Sequence, residues 1–342
     1  MALEVLWFAL WGLLWAVYFV LDGFDFGVAM LRGPLSRDET DRRVALTSIG
    51  PVWDGNEVWL VTAGGATFAA FPAVYASMFS FLYLLMMLIL FSLIARGVAM
   101  ELRGKHDGAL WRAAWDRVLA VSSFAAPFFL GLAFGNIFRG LPVDGSGYHG
   151  GFGMLFNPYA LLTGLLFVLL FLQHGALWLA SRTGGETAAR AVRLAGPLWV
   201  LVLAVAAGFL VTTALATRLD DNFAARPGWV IVPGLAVASL AGVRVALALR
   251  RPFASFLCSC AAIALVVATG LVGLFPNLIP SSLDPAASLT IYNSSSGPTT
   301  LRVMTVVAVV FVPIVVVYQL LVLRFFRHKV TRESLAEAGE GY

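Results

Sequence analysis

Apolar stretches long enough to cross a bilayer recur from one end of this chain to the other, and they leave few folds open. Leu3 to Val20, Phe79 to Ile94 and Leu198 to Ala216 approach or reach the roughly 20 residues that span the hydrocarbon layer as a helix. Only 12% of the 342 residues are charged, against roughly 25% in soluble domains. A soluble globular fold is excluded, and the chain reads as an all-α polytopic membrane protein. Hydropathy and breaker residues give nine transmembrane helices, at 3–31, 55–72, 74–95, 118–138, 158–180, 195–217, 228–249, 254–277 and 303–324. Phe71-Pro72-Ala73 separates the second from the third by almost nothing, so a tight hairpin is expected there. Together they form one integral membrane domain, and the small, polar, acidic segment 331–342 reads as a frayed cytoplasmic tail.

Charge tests this count independently, because a missed helix would flip every later loop and mix the two sides. The loops after the first, third, fifth and seventh spans and the chain end carry 19 of the 23 basic residues: Arg32, Arg37, Arg42, Arg43; Arg96, Arg103, Lys105, Arg112, Arg117; Arg182, Arg190, Arg193; Arg244, Arg250, Arg251; and Arg324, Arg327, Lys329, Arg332. The other side holds only Arg139, Arg218, Arg226 and Arg302. The amino end is therefore expected outside and the carboxyl end in the cytoplasm. Glu4, with no basic residue before the first apolar run, argues against a cleaved signal peptide. The Gly-rich segment Leu141 to Gly153 and the Ser/Pro/Asn segment Ile279 to Pro298 read as ordered turns or short caps.

Carboxylates at bilayer depth are costly, so acids inside spans are functional candidates. Asp22 and Asp25 stand three apart near the inner end of the first span and share a helix face. Gly23 and Gly27, four apart, let another helix backbone come close beside them. Read blandly, these acids are hydrated at the rim and end the helix. Asp54 and Glu57 open the second span on the same side, beside Trp53 and Asn56. Asp54-Gly-Asn-Glu57 has the spacing of a capping box, which gives a purely structural reading. The other reading is proton transfer, since four carboxyl groups from two consecutive helices can share and pass protons where water reaches them.

Other signals are weaker. His174, beside Gln173, is the one histidine within an apolar span. It reads as a hydrogen-bonding residue at a helix interface, or as a proton relay, rather than as a haem ligand. With four histidines in all, the chain offers little for haem or metal ligation by its own residues. Cys258 and Cys260 point to nearly opposite helix faces and share no metal. Trp7, Trp11 and Trp15 line one face of the first span, toward a second subunit or toward lipid. There is no phosphate loop, nucleophile elbow, metal-ligand cluster or nucleic-acid patch.

Several longer segments carry a family resemblance. They are Asp22-Gly-Phe-Asp-Phe-Gly27, Pro51-Val-Trp-Asp-Gly-Asn-Glu-Val-Trp-Leu-Val-Thr-Ala-Gly-Gly-Ala66, Phe134-Gly-Asn-Ile-Phe-Arg-Gly-Leu-Pro142, Asn157-Pro-Tyr-Ala-Leu-Leu162, Gln173-His-Gly-Ala176, Phe275-Pro-Asn-Leu-Ile-Pro-Ser-Ser282 and Phe311-Val-Pro-Ile-Val315. Through them nearly the whole chain resembles subunit II of the cytochrome bd-type quinol oxidases. The resemblance implies two four-helix bundles with a peripheral helix. It also implies an inner-membrane respiratory complex that oxidises quinol, reduces oxygen to water and builds a proton gradient without pumping. Two b-type haems and a d-type haem, or a third b-type, would sit in the partner subunit I, leaving this subunit haem-free. A small single-helix accessory subunit and membrane lipid complete the implied partners.

In that setting Asp54 is expected at the interface with subunit I, on a cytoplasmic proton-entry route with Glu57, Asp25 and Asp22, flanked by Trp53, Asn56 and His174. Glu57 departs from the family pattern, which often has glutamine there, and so adds a carboxylate to the group. From other classes, a proton-coupled secondary transporter also fits many helices with buried acids. Transporters, however, place such acids near the midplane on broken helices, and this sequence shows no inverted repeat. A purely structural scaffold is the third reading.

Overall fold

A computed structural model describes residues 2–338. In a bilayer every backbone N–H and C=O has to be satisfied internally, so apolar spans become helices, and the described chain is almost wholly helical. In chain order the helices are α1 (Ala2–Leu35), α2 (Glu39–Thr47), α3 (Trp53–Ala70), α4 (Pro72–Phe81), α5 (Tyr83–Leu102), α6 (Ala109–Arg139), α7 (Pro158–Arg182), α8 (Gly185–Ala216), α9 (Asp221–Ala225), α10 (Ile231–Ala248), α11 (Pro252–Leu274), α12 (Pro298–Phe325) and α13 (Arg332–Ala338). Among the described residues eight helices are long and apolar enough to cross a membrane, and the bent pair α3–α4 brings the number to nine.

The hairpin expected at Phe71-Pro72-Ala73 is a sharp bend instead. The axis turns by 118° from α3 into α4, because Pro72 has no N–H to continue the ladder. A second break at Leu82 separates α4 from α5. The carbonyls freed at the end of α3 find donors in the segment before α12, where Ser296 donates its N–H to Ala70 O at 2.8 Å and its hydroxyl to Ala69 O at 2.6 Å. The third helix, expected over 74–95, runs on as α5 to Leu102.

Helix association in lipid draws on close packing more than on the hydrophobic effect. α1 is the central helix, packed against α3, α6, α7 and α11. With α3 to α6 it forms one bundle; α7, α8, α10 and α11 form the other, and α12 lies outside against α1 and α3. Two glycine contacts set the α7 crossings. A Cβ on Gly27 would stand 2.8 Å from Gly175 Cα, and one on Gly131 would stand 2.6 Å from Gly164 Cα. The spacing of Gly23 and Gly27 thus serves the approach of α7. Rings pack edge to face on α1, Trp15 on Phe134 of α6 at 5.1 Å within the first bundle and Phe19 on Phe167 of α7 at 5.0 Å between the bundles, each pair contributing about 0.5–1.5 kcal/mol.

The tryptophan stripe on α1 faces neither a second subunit nor lipid. Trp7, Trp11 and Trp15 are buried within the chain. Trp7 Nε1 donates to Thr305 Oγ1 of α12 at 3.1 Å, and Trp11 Nε1 donates to Thr67 Oγ1 of α3 at 2.8 Å. Spacing told which face the rings share, not what covers that face.

At one end of the bundles, β1 (Val143–Asp144) pairs with β2 (Gly147–Tyr148), and β3 (Asn277–Ile279) pairs with β4 (Leu289–Thr290), both antiparallel. The two caps join where Leu141 N–H donates to Pro280 O at 2.9 Å. At the other end, ion pairs tie the loops together. Asp116 accepts from Arg32 and Arg103, each at 2.5 Å, and Arg103 also reaches Glu39 at 2.8 Å. Asp41 accepts from Arg190 at 2.5 Å and from Arg332 at 2.7 Å. The expectation of a frayed tail is therefore corrected over 332–338. That segment forms α13, held to α2 by Arg332 on Asp38 and Asp41; residues 339–342 lie outside the described residues.

Candidate functional site

The site begins with the two acids on α1. Asp22 and Asp25 are fully buried inside the helix, which continues to Leu35. Asp22 lies ten residues, roughly 15 Å of helical rise, before Arg32. The reading in which these acids are hydrated at the rim and end the helix is overturned.

Opposite them stands a residue that sequence reasoning assigned to a loop. Arg96 lies within α5 with its side chain only 2% exposed. Its Nη2 donates to Asp22 Oδ1 at 2.6 Å and to Glu57 Oε2 at 3.4 Å, while its guanidinium lies over the Phe26 ring at 4.2 Å. Trp53, at 5.9 Å, forms the wider wall. Arginine stays charged in a protein, and a guanidinium between two carboxylates offsets the large desolvation cost of burying them.

Asp25 has different partners. Its Oδ2 accepts from Asn56 Nδ2 at 2.8 Å, and Asn56 Oδ1 accepts from Gln319 Nε2 of α12 at 2.8 Å. Four helices, α1, α3, α5 and α12, therefore contribute to one polar group. Among the described residues its buried atoms Asp22 Oδ2, Asp25 Oδ1, Arg96 Nη1 and Tyr18 Oη have no hydrogen-bond partner, and unpartnered polar atoms of this kind are where internal water is held.

Glu57 leads outward, its side chain 23% exposed beside the buried Arg96. Asp54, one turn earlier, is exposed and stands apart from the buried acids. It does not cap α3: the N-cap is Val52, with no side-chain cap bond. The structural alternative for Asp54 thus loses its geometry, and the residue is left on an open face of this chain. His174 lies elsewhere. Its Nδ1 pairs with Ser259 Oγ at 2.9 Å, its Nε2 with Val20 O at 3.0 Å, and its ring stacks on Phe256 at 4.6 Å. It ties α7 to α1 and α11 and takes no part in the acid group.

Sequence reading missed Arg96 and Gln319. Each had a signal: Arg96 is followed by apolar Val98, Ala99 and Met100 before the next charge, and Gln319 is the one amide in its span.

Both ring nitrogens of His174, the one histidine within an apolar span, are engaged in hydrogen bonds. Among the described residues no three His, Cys, Asp or Glu side chains gather to hold a metal. A cavity of about 250 Å³ between the bundles, lined by Trp11, Phe19, Phe134 and Phe209 among others, offers almost only apolar surface.

Taken together, the fold and site define a multi-pass α-helical membrane protein with an acid–guanidinium cluster buried between its first helices. Residues 3–326 match the family described as cytochrome bd terminal oxidase subunit II, and the chain belongs to that family. It is 38% identical over 340 residues to cytochrome bd ubiquinol oxidase subunit 2 of Bacillus subtilis, covering 97% of this chain and 98% of that one. To cytochrome bd-I ubiquinol oxidase subunit 2 of Escherichia coli it is 36% identical, covering 92% of each. Its fold is similar to a chain of the bd oxidase from Geobacillus thermodenitrificans, with a TM-score of 0.80 and 18% identity over 95% of this chain and 99% of that one. The chain is thus a multi-pass subunit of a bacterial respiratory oxidoreductase. Membership implies a subunit I partner and haems in that partner, and it displaces the transporter reading.

Proposed function

We propose that this chain is the haem-free subunit of a quinol:oxygen oxidoreductase, that it stabilises the haem-bearing subunit, and that it forms one wall of a proton-uptake route from the cytoplasm. The haem groups supply the electron transfer and oxygen chemistry; this chain's residues hold and pass protons. The observation that carries the reading is the link from partly exposed Glu57 through Arg96 to buried Asp22, with buried Asp25 one turn further along α1 and exposed Asp54 one turn before Glu57 on α3.

Glu57 can exchange protons with water at the mouth. Arg96 holds its carboxylate and that of Asp22 on one nitrogen, so a proton arriving on one loosens its grip on the guanidinium and tightens the other's. Asp25, fixed by Asn56 and Gln319, is the inner acceptor, and water at the unpartnered Asp22 Oδ2 and Asp25 Oδ1 completes the link. The distribution of basic residues supports placing the mouth on the cytoplasmic side, with the amino end outside. Turnover is electrogenic without pumping if the protons that form water enter from the cytoplasm while those released by quinol oxidation leave on the other side. The exposed apolar sides of α3 and α12 flank Asp54 and suit subunit I, and lipid covers the remaining outward faces.

The test is Asp54→Asn in the intact complex. Quinol oxidase turnover and charge separation fall about tenfold with haem bands unchanged. Normal turnover and charge separation would remove Asp54 from the route, and loss of haem would make it an assembly residue.

A further inference from the structure

A second polar feature lies away from the acids, at the basic end of α12. The chain leaving this helix folds back under the bundle before α13 and borders an open cavity of about 800 Å³. Arg182 from α7, Arg324 from the last turn of α12, and Arg327, His328 and Lys329 from the following turn line it, together with Ser48 and Trp178. Among the described residues Arg182, Arg324, Arg327 and Lys329 have no carboxylate within 4.0 Å, and the nearby acids Asp38 and Asp41 are taken by Arg190 and Arg332. Arg182 spends one nitrogen on Arg327 O at 2.8 Å and lies over the Trp178 ring at 4.8 Å, while its Nε is buried without a partner. Four cations converging on one cavity without acids leave room for an anion.

The rest of the wall says which anion. Leu321 and Phe325 line the same cavity, and with Val317 they form an i, i+4, i+8 row on α12. They are 55%, 60% and 75% exposed from Val317 to Phe325. The row runs from the cations up the span toward the hydrocarbon layer, and Arg324 marks where that layer ends. A small soluble anion has no use for an apolar row, whereas a phosphate joined to acyl chains fills both parts. Basic pockets between spans on the cytoplasmic side are where anionic headgroups bind, and guanidinium matches phosphate geometry.

We propose that this cavity binds an anionic phospholipid, with its phosphate held by Arg182, Arg324, Arg327 and Lys329 and its acyl chains along Val317, Leu321 and Phe325. The lipid would clamp the chain between α12 and α13 against α7.

The experiment uses the purified, delipidated complex titrated with phosphatidylglycerol, with phosphatidylcholine and inorganic phosphate as comparisons, and counts lipid retained after gel filtration. Wild type retains phosphatidylglycerol at least tenfold more tightly than phosphatidylcholine, and inorganic phosphate does not displace it. The double variant R324Q/R327Q loses that preference. Lys329→Gln, on an exposed side chain outside every ion pair, weakens retention two- to fivefold and reads the site even if the double variant fails to assemble. Unchanged phosphatidylglycerol retention in Lys329→Gln and the double variant, or equal retention of phosphatidylcholine by wild type, overturns the proposal. Displacement by inorganic phosphate assigns the cavity to a soluble anion. Loss of subunit I from the variants with lipid retention intact assigns it to the partner protein.

Discussion

Two carboxyl groups, those of Asp22 and Glu57, meet one guanidinium inside the membrane, so the arginine decides how these acids behave. Removing one partner of a buried pair strands the other and costs about 3–5 kcal/mol. Arg96→Met is therefore expected to destabilise the complex by that amount, measured as loss of haem-retaining complex on heating. Adding Asp22→Asn recovers part of the loss, because a neutral amide no longer needs the cation. Full additivity of the two changes would show that Arg96 and Asp22 do not interact. The residue that hid this arrangement was Arg96 itself. Positive charge at the end of an apolar run reads as loop, and a linear hydropathy count carries no information on whether the helix continues to Leu102. Asp22, Asp25 and Glu57 were legible because acids are rare at bilayer depth. Gln319 bonds Asn56 from 263 residues away, and no local pattern links them.

At the scale of elements, α1 depends on α7. Gly27→Val places side-chain atoms against the backbone at Gly175, and such overpacking costs about 1–3 kcal/mol or more. The variant is expected to lower the amount of assembled complex in the membrane, read by haem content per cell, while Gly33→Val, where a Cβ meets nothing within 4 Å, leaves it unchanged. The close approach was readable from the spacing of Gly23 and Gly27; the identity of the partner helix was not. α13 is a second element whose hold can be tested. Burial pushes the Asp41 carboxyl up, but the Arg37 N–H and the Arg332 and Arg190 guanidiniums outweigh it and keep it below the usual carboxylate value of 3.8. The Asp41 N–H, followed by Arg332, lowers Asp38 from the same value. Groups whose values are lowered on folding contribute fully above the ordinary value and lose that contribution as pH falls through the lowered one. Proteolytic protection of 332–338 should therefore be complete above about pH 4 and fade below it. Protection that instead weakens between pH 5 and 8 would mean that other groups hold the helix.

For the whole molecule, the nine spans were the most legible part, since lipid compels each apolar run to close its own hydrogen bonds, whereas the two bundles came only from the family resemblance. The break into α4 and α5 was less legible, because Pro72 announces a turn without fixing its angle. What remains is the path through the assembled oxidase. In the proposed route Asp54 acts at a face covered by subunit I, whereas Glu57 is held by Arg96 of this chain. The most direct measurement is the rate of proton uptake from the cytoplasmic side during oxygen reduction by the intact complex carrying Glu57→Gln, followed with a pH-indicating dye. With a carboxyl relay through Glu57, uptake slows at least tenfold while the haem spectrum and subunit composition stay those of wild type. Uptake at the wild-type rate would contradict the route.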